Sequence, residues 1–163
     1  MDLNQVPPTD VRPLLTRDRV DPLGLLPTLS PQQWNAASEA QGWNVKGLAL
    51  HLLDDDLGLL SRQRDHDHSN LLAMDDHETL VTALATKNER WINGAAGLST
   101  RVVTELLAWS GEQLDEHYAD VDLLGEGSVS WASDAPVPMW LDMARELTER
   151  WVPKCRYARL SAR

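Results

Sequence analysis

The chain has 163 residues, 42% of them apolar, and a formal net charge of −10. That length suits one domain with its own core, the composition excludes a disordered chain, and the acidic balance argues against nucleic acid as a partner. The single cysteine, Cys155, excludes an intramolecular disulfide framework and points to a reducing, cytoplasmic setting.

Residues 1–13 are polar and Pro-rich, without the apolar stretch of a signal peptide, and are expected to form an extended arm. Leu14 to Leu29 has the apolar content of a first helix, interrupted by Pro22 and Pro27. Ser30-Pro31-Gln32-Gln33 is a helix start: Ser30 can cap, Pro31 suits the first helical position, and Gln33 completes a capping box. From Val45 to Gln63 the apolar residues Val45, Leu48, Ala49, Leu52, Leu53, Leu57, Leu59 and Leu60 recur at helical spacing. Arg64 to Asn70 reads as a polar loop. A further helix is expected over about 76–93, ended by Gly94, and another over 100–118, capped by Ser99. Residues 122–138 form a long loop. The last helix begins near Pro138, with Trp140, Met143, Ala144, Leu147 and Trp151 as its apolar stripe. Pro153 should stop it within about a turn, because its ring crowds the Glu149 carbonyl. Beyond lie Lys154, Arg156, Arg159 and Arg163 with no acidic residue, a basic tail on an acidic body.

No segment alternates with period two, so the fold class is all-α. Seven tryptophans and no phenylalanine suggest that Trp carries much of the core volume. No apolar run approaches the ~20 residues of a membrane span.

Chemistry-bearing residues are sparse. His51 lies beside Asp55, Gly58 and Arg62 on a helical wheel, off the apolar arc, where a histidine is usually solvated. Asp54 and Asp55 read as a solvated face. Asp56 falls inside the apolar arc; it either orients a ligand from behind or lies at the end of the bundle in water. His66-Asp67-His68 is a weak metal signal in a polar loop, and His77 and His117 have no visible partners. Glu149 faces away from the apolar stripe, the ordinary place for an exposed glutamate. No nucleophile motif, Gly-rich phosphate loop or cysteine pair is present.

Two segments carry a family resemblance: Gly42-Trp43-Asn44-Val45-Lys46-Gly47-Leu48-Ala49-Leu50-His51-Leu52-Leu53-Asp54-Asp55-Asp56-Leu57, and Ala144-Arg145-Glu146-Leu147-Thr148-Glu149-Arg150-Trp151. With Leu98 to Trp109 they resemble the N-terminal metal-binding domain of the mycothiol-dependent maleylpyruvate isomerase family, from about Arg12 to Trp151. The resemblance implies a DinB-like four-helix bundle with extra short helices over 14–152, flanked by the arm at 1–13 and the divergent tail at 153–163. In that family an early histidine and a late Glu-x-x-x-His pair hold a divalent metal, and the open position takes the sulfur of mycothiol. Carried over, the metal ligands are His51 and Glu149, the metal is zinc or a similar ion, and the partners are a small-molecule thiol and an unidentified substrate. A homodimer is a further implication. The late histidine is replaced by Pro153, and many relatives have a further C-terminal domain, so the tail has the pattern that a frame change or truncation would leave. Two function classes follow: a metal- and thiol-dependent isomerase or transferase with impaired metal binding, or a non-catalytic helical-bundle interaction protein.

Overall fold

The computed structural model describes residues 7–38, 40, 42–69, 77–127 and 137–158, with 77 and 151–158 as backbone only. Among them are six α-helices and no strand: α1 (Arg12–Leu25), α2 (Pro31–Trp34), α3 (Val45–Leu59), α4 (His77–Ala95), α5 (Thr100–Ala119) and α6 (Met139–Ala158). The all-α expectation holds, and most helix starts have a local cause. Pro13 sits in the first turn of α1, where a missing N–H costs nothing. Ser30 Oγ accepts from the Gln33 N–H at 3.2 Å while Gln33 Oε1 accepts from the Ser30 N–H at 2.8 Å, the reciprocal box expected for α2. Asn44 caps α3 by accepting from the Gly47 N–H at 2.8 Å, and Ser99 caps α5 by accepting from the Val102 N–H at 3.2 Å. Each cap contributes about 1 kcal/mol.

Helix α3 is central. It packs on α4, α5 and α6, while α1 packs on α5 and α6. One apolar cluster joins Leu48, Ala49, Leu52 and Leu53 of α3 to Val103 and Leu107 of α5 and to Trp34. A second joins Leu59 and Leu60 to Leu15, Leu114, Tyr118 and Met143. Burying each leucine fully stabilises by roughly 1.5–3 kcal/mol. Along α3 and α5 the two clusters are separated by Asp56 and Ser110, both fully buried.

Several expectations are corrected. The core is mainly leucine: Trp34 and Trp140 are buried, but Trp43 and Trp91 only border it and Trp109 is 46% exposed. Trp131 lies outside the described residues. Pro22 does not end α1, which runs on to a 3-10 turn, Leu26–Thr28. Gly94 is inside α4, whose last residue is Ala95. Pro153 does not end α6, which continues to Ala158. A proline deletes only its own N–H, and residues beyond it still donate to carbonyls four back, so one lost bond need not terminate a helix that is otherwise supported. The side chains of Pro153 and Cys155, and the tail from 159, lie outside the described residues.

After α3 the chain adds a π-helical turn, Leu60–Arg64, closed by the Asp65 N–H donating to the Leu60 carbonyl at 3.0 Å. His66 then takes a φ of 56°, a left-handed conformation that commonly ends helices. Of the loop expected over 122–138, residues 128–136 lie outside the described set. Its stems are held together by the Gly127 N–H on the Val137 carbonyl (2.7 Å) and the Met139 N–H on the Gly125 carbonyl (2.8 Å). A Cβ at Gly127 would stand 3.0 Å from Asp142 Cβ and 3.1 Å from the Val137 carbonyl oxygen, so a side chain there would press on both neighbours. No helix among the described residues is long and apolar enough to cross a membrane.

Candidate functional site

His51 occupies the second turn of α3, and the Gly-Trp segment before that helix shapes its surroundings. Gly42 adopts a φ of 88°, which a side chain would strain, and the turn brings the Trp43 ring to 4.9 Å from the imidazole at 52°. From α4, Trp91 Nε1 donates to the Leu50 carbonyl at 2.7 Å, pinning α4 beside this turn. The His51 side chain is 20% exposed, and its Nδ1 is buried without a hydrogen-bond partner among the described residues. Burial lowers the imidazole pKa below its ordinary value, Asp54 raises it, Lys87 lowers it, and Glu149 raises it.

The three aspartates that follow take three different environments. Asp54 is ion-paired to Lys87 of α4. Asp55 Oδ2 stands 3.5 Å from His51 Nε2. Asp56 is fully buried, paired to Arg150 of α6, and accepts from the Ser110 hydroxyl at 2.8 Å. The expectation that Asp54 and Asp55 form a solvated face is therefore corrected, and so is the placement of Asp56 in water at the bundle end. Burial, reinforced by the charge of Asp54, pushes the Asp55 carboxyl up to about 7. Because the folded value lies above the ordinary one of 3.8, the native state holds the extra proton between them, and Asp55 removes stability as pH rises through that window. Asp55→Asn should therefore raise the melting temperature at pH 8 and leave it nearly unchanged at pH 4. Equal gains at both pH values would assign the effect to something other than the charge.

Glu149 lies on the exposed side of α6. Its charge is among those that raise the His51 pKa, and α3 packs on α6. Imidazole nitrogen and carboxylate oxygen suit zinc, and the lowered pKa keeps the imidazole neutral near pH 7, with a lone pair free to donate. Among the described residues no group of three His, Cys, Asp or Glu side chains is gathered as a metal cluster. What the sequence and structure offer an ion is thus the donor chemistry of two legs, with proline at the third position.

Beneath this surface runs a charged interior that sequence reading missed. Arg150 joins Asp56 and stands 3.9 Å from Asp18 of α1, while Arg19 is paired to Asp115 of α5. Nearer the second apolar cluster, the Tyr118 hydroxyl donates to Gln63 Oε1 at 3.0 Å and Gln63 Nε2 donates to Asp142 Oδ2 at 3.1 Å. Arg145 pairs with Glu146 and approaches Asp142 at 3.7 Å. Burial pushes Glu146 up to about 7, with Arg145 opposing and Asp55 reinforcing. A signal was available: Arg150 lies three residues after Leu147 and seven after Met143, on the apolar flank of α6, where a charge needs a partner.

The remaining histidines stay apart from this site. His66 and His68 are exposed, and His117 is half-buried. The side chain of His77 lies outside the described residues.

The family described as the mycothiol maleylpyruvate isomerase N-terminal domain matches residues 17–152. Two solved structures have a similar fold, the mycothiol-dependent maleylpyruvate isomerase and a histidine-to-alanine mutant of it. Identity is 15% and 14% respectively, with a TM-score of 0.64 in both cases. Each comparison covers 96% of this chain, which spans 62% of the length of those proteins. No curated protein sequence matches this one.

Proposed function

Because the chain belongs to the mycothiol maleylpyruvate isomerase N-terminal domain family, we propose that it is a helical domain retaining a weakened divalent-metal site at His51 and Glu149, facing a small-molecule thiol. The observation that carries this reading is the family match across residues 17–152, which include His51 and Glu149, together with the half-buried placement of His51 on α3, which packs on α6. Pro153 supports the weakening, since catalytic zinc sites ordinarily have three protein ligands and proline offers none. A bound ion would supply a position that holds a thiol as its thiolate. The chain's own residues would do the rest. Trp43 fixes the imidazole plane, Lys87 holds Asp54 out of competition, and Arg150 ties α6 to α3 beneath Glu149. An isomerase or transferase acting with mycothiol, in the cytoplasm and as a homodimer, extends the same proposal.

Zinc titration of the purified chain tests it. Weak binding is expected, and His51→Ala and Glu149→Gln should each reduce it further. Zinc binding that is indifferent to His51→Ala would defeat the assignment, turn attention to His66 and His68, and favour the non-catalytic interaction protein.

A further inference from the structure

We propose that the exposed face of α5 is the surface on which two copies of this chain associate, crossing antiparallel on Trp109 with Arg101 of each copy facing the partner's Glu116. The inference gives the homodimer reading above a surface; it rests on that reading alone and is independent of the metal site.

Trp109 is 46% exposed, and among the described tryptophan side chains it alone is exposed. Its large apolar surface gains most from being covered. Val102, 38% exposed, lies seven residues back on the same helix face, and Leu106 between them is only partly buried. Arg101 and Glu105, 86% and 60% exposed, border this stripe with Glu112 and Glu116, which are exposed as well. The order of these charges selects the occupant and its orientation. Arg101, at the start of α5, is the only Arg or Lys on the helix, and the solvent-facing carboxylates run on to Glu116 near its end. Around a twofold axis at Trp109, residues equally far before and after it meet. Antiparallel pairing sets Leu106 against the partner's Glu112, Glu105 against the partner's Gln113, and Arg101 and Val102 against the partner's Glu116. No carboxylate then meets a carboxylate, and each rim carries a pair of opposite charges. Parallel pairing would instead set Glu105, Glu112 and Glu116 each on its own counterpart, which repels. Glu116 is already held in place: Gln113 Nε2 donates to its Oε2 at 3.0 Å, while Gln113 Oε1 accepts from Arg64 at 3.0 Å. An aromatic centre inside a charged rim is the usual anatomy of an interface. One helix face buries less than the ~1,200 Å² of a stable complex, so the dimer is weak.

The experiment is sedimentation velocity of the full chain over micromolar to sub-millimolar concentrations, with thermal melts of every variant as a check on folding. Reversible dimerisation is expected. Trp109→Lys should weaken it at least tenfold, as loss of a central aromatic does. Arg101→Glu and Glu116→Arg should each weaken it as strongly, because each sets like charges together at both rims. Mixed in equal amounts, these two variants should associate with each other again, since in the mixed pair opposite charges face each other at both rims. A chain that stays monomeric throughout would overturn the homodimer reading and this inference together, and would leave the face to a different occupant. Dimers indifferent to Trp109→Lys, or charge variants that do not recover one another on mixing, would overturn this inference alone.

Discussion

Replacing Arg150 by methionine is expected to reduce unfolding free energy by about 3–5 kcal/mol, the cost of stranding a buried charge, and to lower the melting temperature by roughly 10 °C or more. The Asp56 side chain is fully buried and the guanidinium 4% exposed, so neither can turn to water when its partner is lost. Asp18, also buried, stands 3.9 Å from the same guanidinium and would lose that contact as well. Methionine fills much of the volume but offers no donor. Neutralising the survivor separates charge from packing: in Asp56→Asn with Arg150→Met the stranded carboxylate is gone, and more than half of the loss should return. Urea denaturation of the two proteins checks this. Equal losses in both would mean that the guanidinium's stem packing, not its charge, holds the helices together.

The same ion pair shows what could be read in the sequence. Periodicity and end signals are local, so α3, α5 and the capped starts at Ser30 and Ser99 were legible from neighbouring residues alone. His51 and Glu149 were singled out only through a family motif, because on their own helices both look like ordinary exposed side chains. Asp56 could be flagged as a carboxylate on an apolar arc, but its partner lies 94 residues away, and no local rule pairs Asp56 with Arg150 rather than with Arg62 or Arg145. Asp54 and Asp55 were misread for a related reason. A wheel ranks exposure within one helix and knows nothing of α4, whose Lys87 covers that face, or of α6. The proline expectation failed differently: propensity describes the cost of proline to a helix, while the neighbouring turns decide whether that cost ends it.

Pro153→His is expected to tighten zinc binding at least tenfold. Helix α6 already passes through position 153 and on to Ala158, so the substituted imidazole would stand one turn from Glu149 on the same face and would bring the third ligand that catalytic zinc sites ordinarily have. The substitution also restores a helix N–H and relieves crowding of the Glu149 carbonyl, worth up to about 3 kcal/mol of stability. Pro153→Ala separates the two effects. Alanine should reproduce the gain in thermal stability and leave zinc affinity near that of the unmodified chain, while histidine should raise both. Adding His51→Ala to Pro153→His should then abolish most of the gained affinity, because the new ligand acts on the same ion. If histidine and alanine at 153 bind zinc equally weakly, the end of α6 is displaced from His51, and the proposed weakness of the metal site cannot be traced to one missing imidazole.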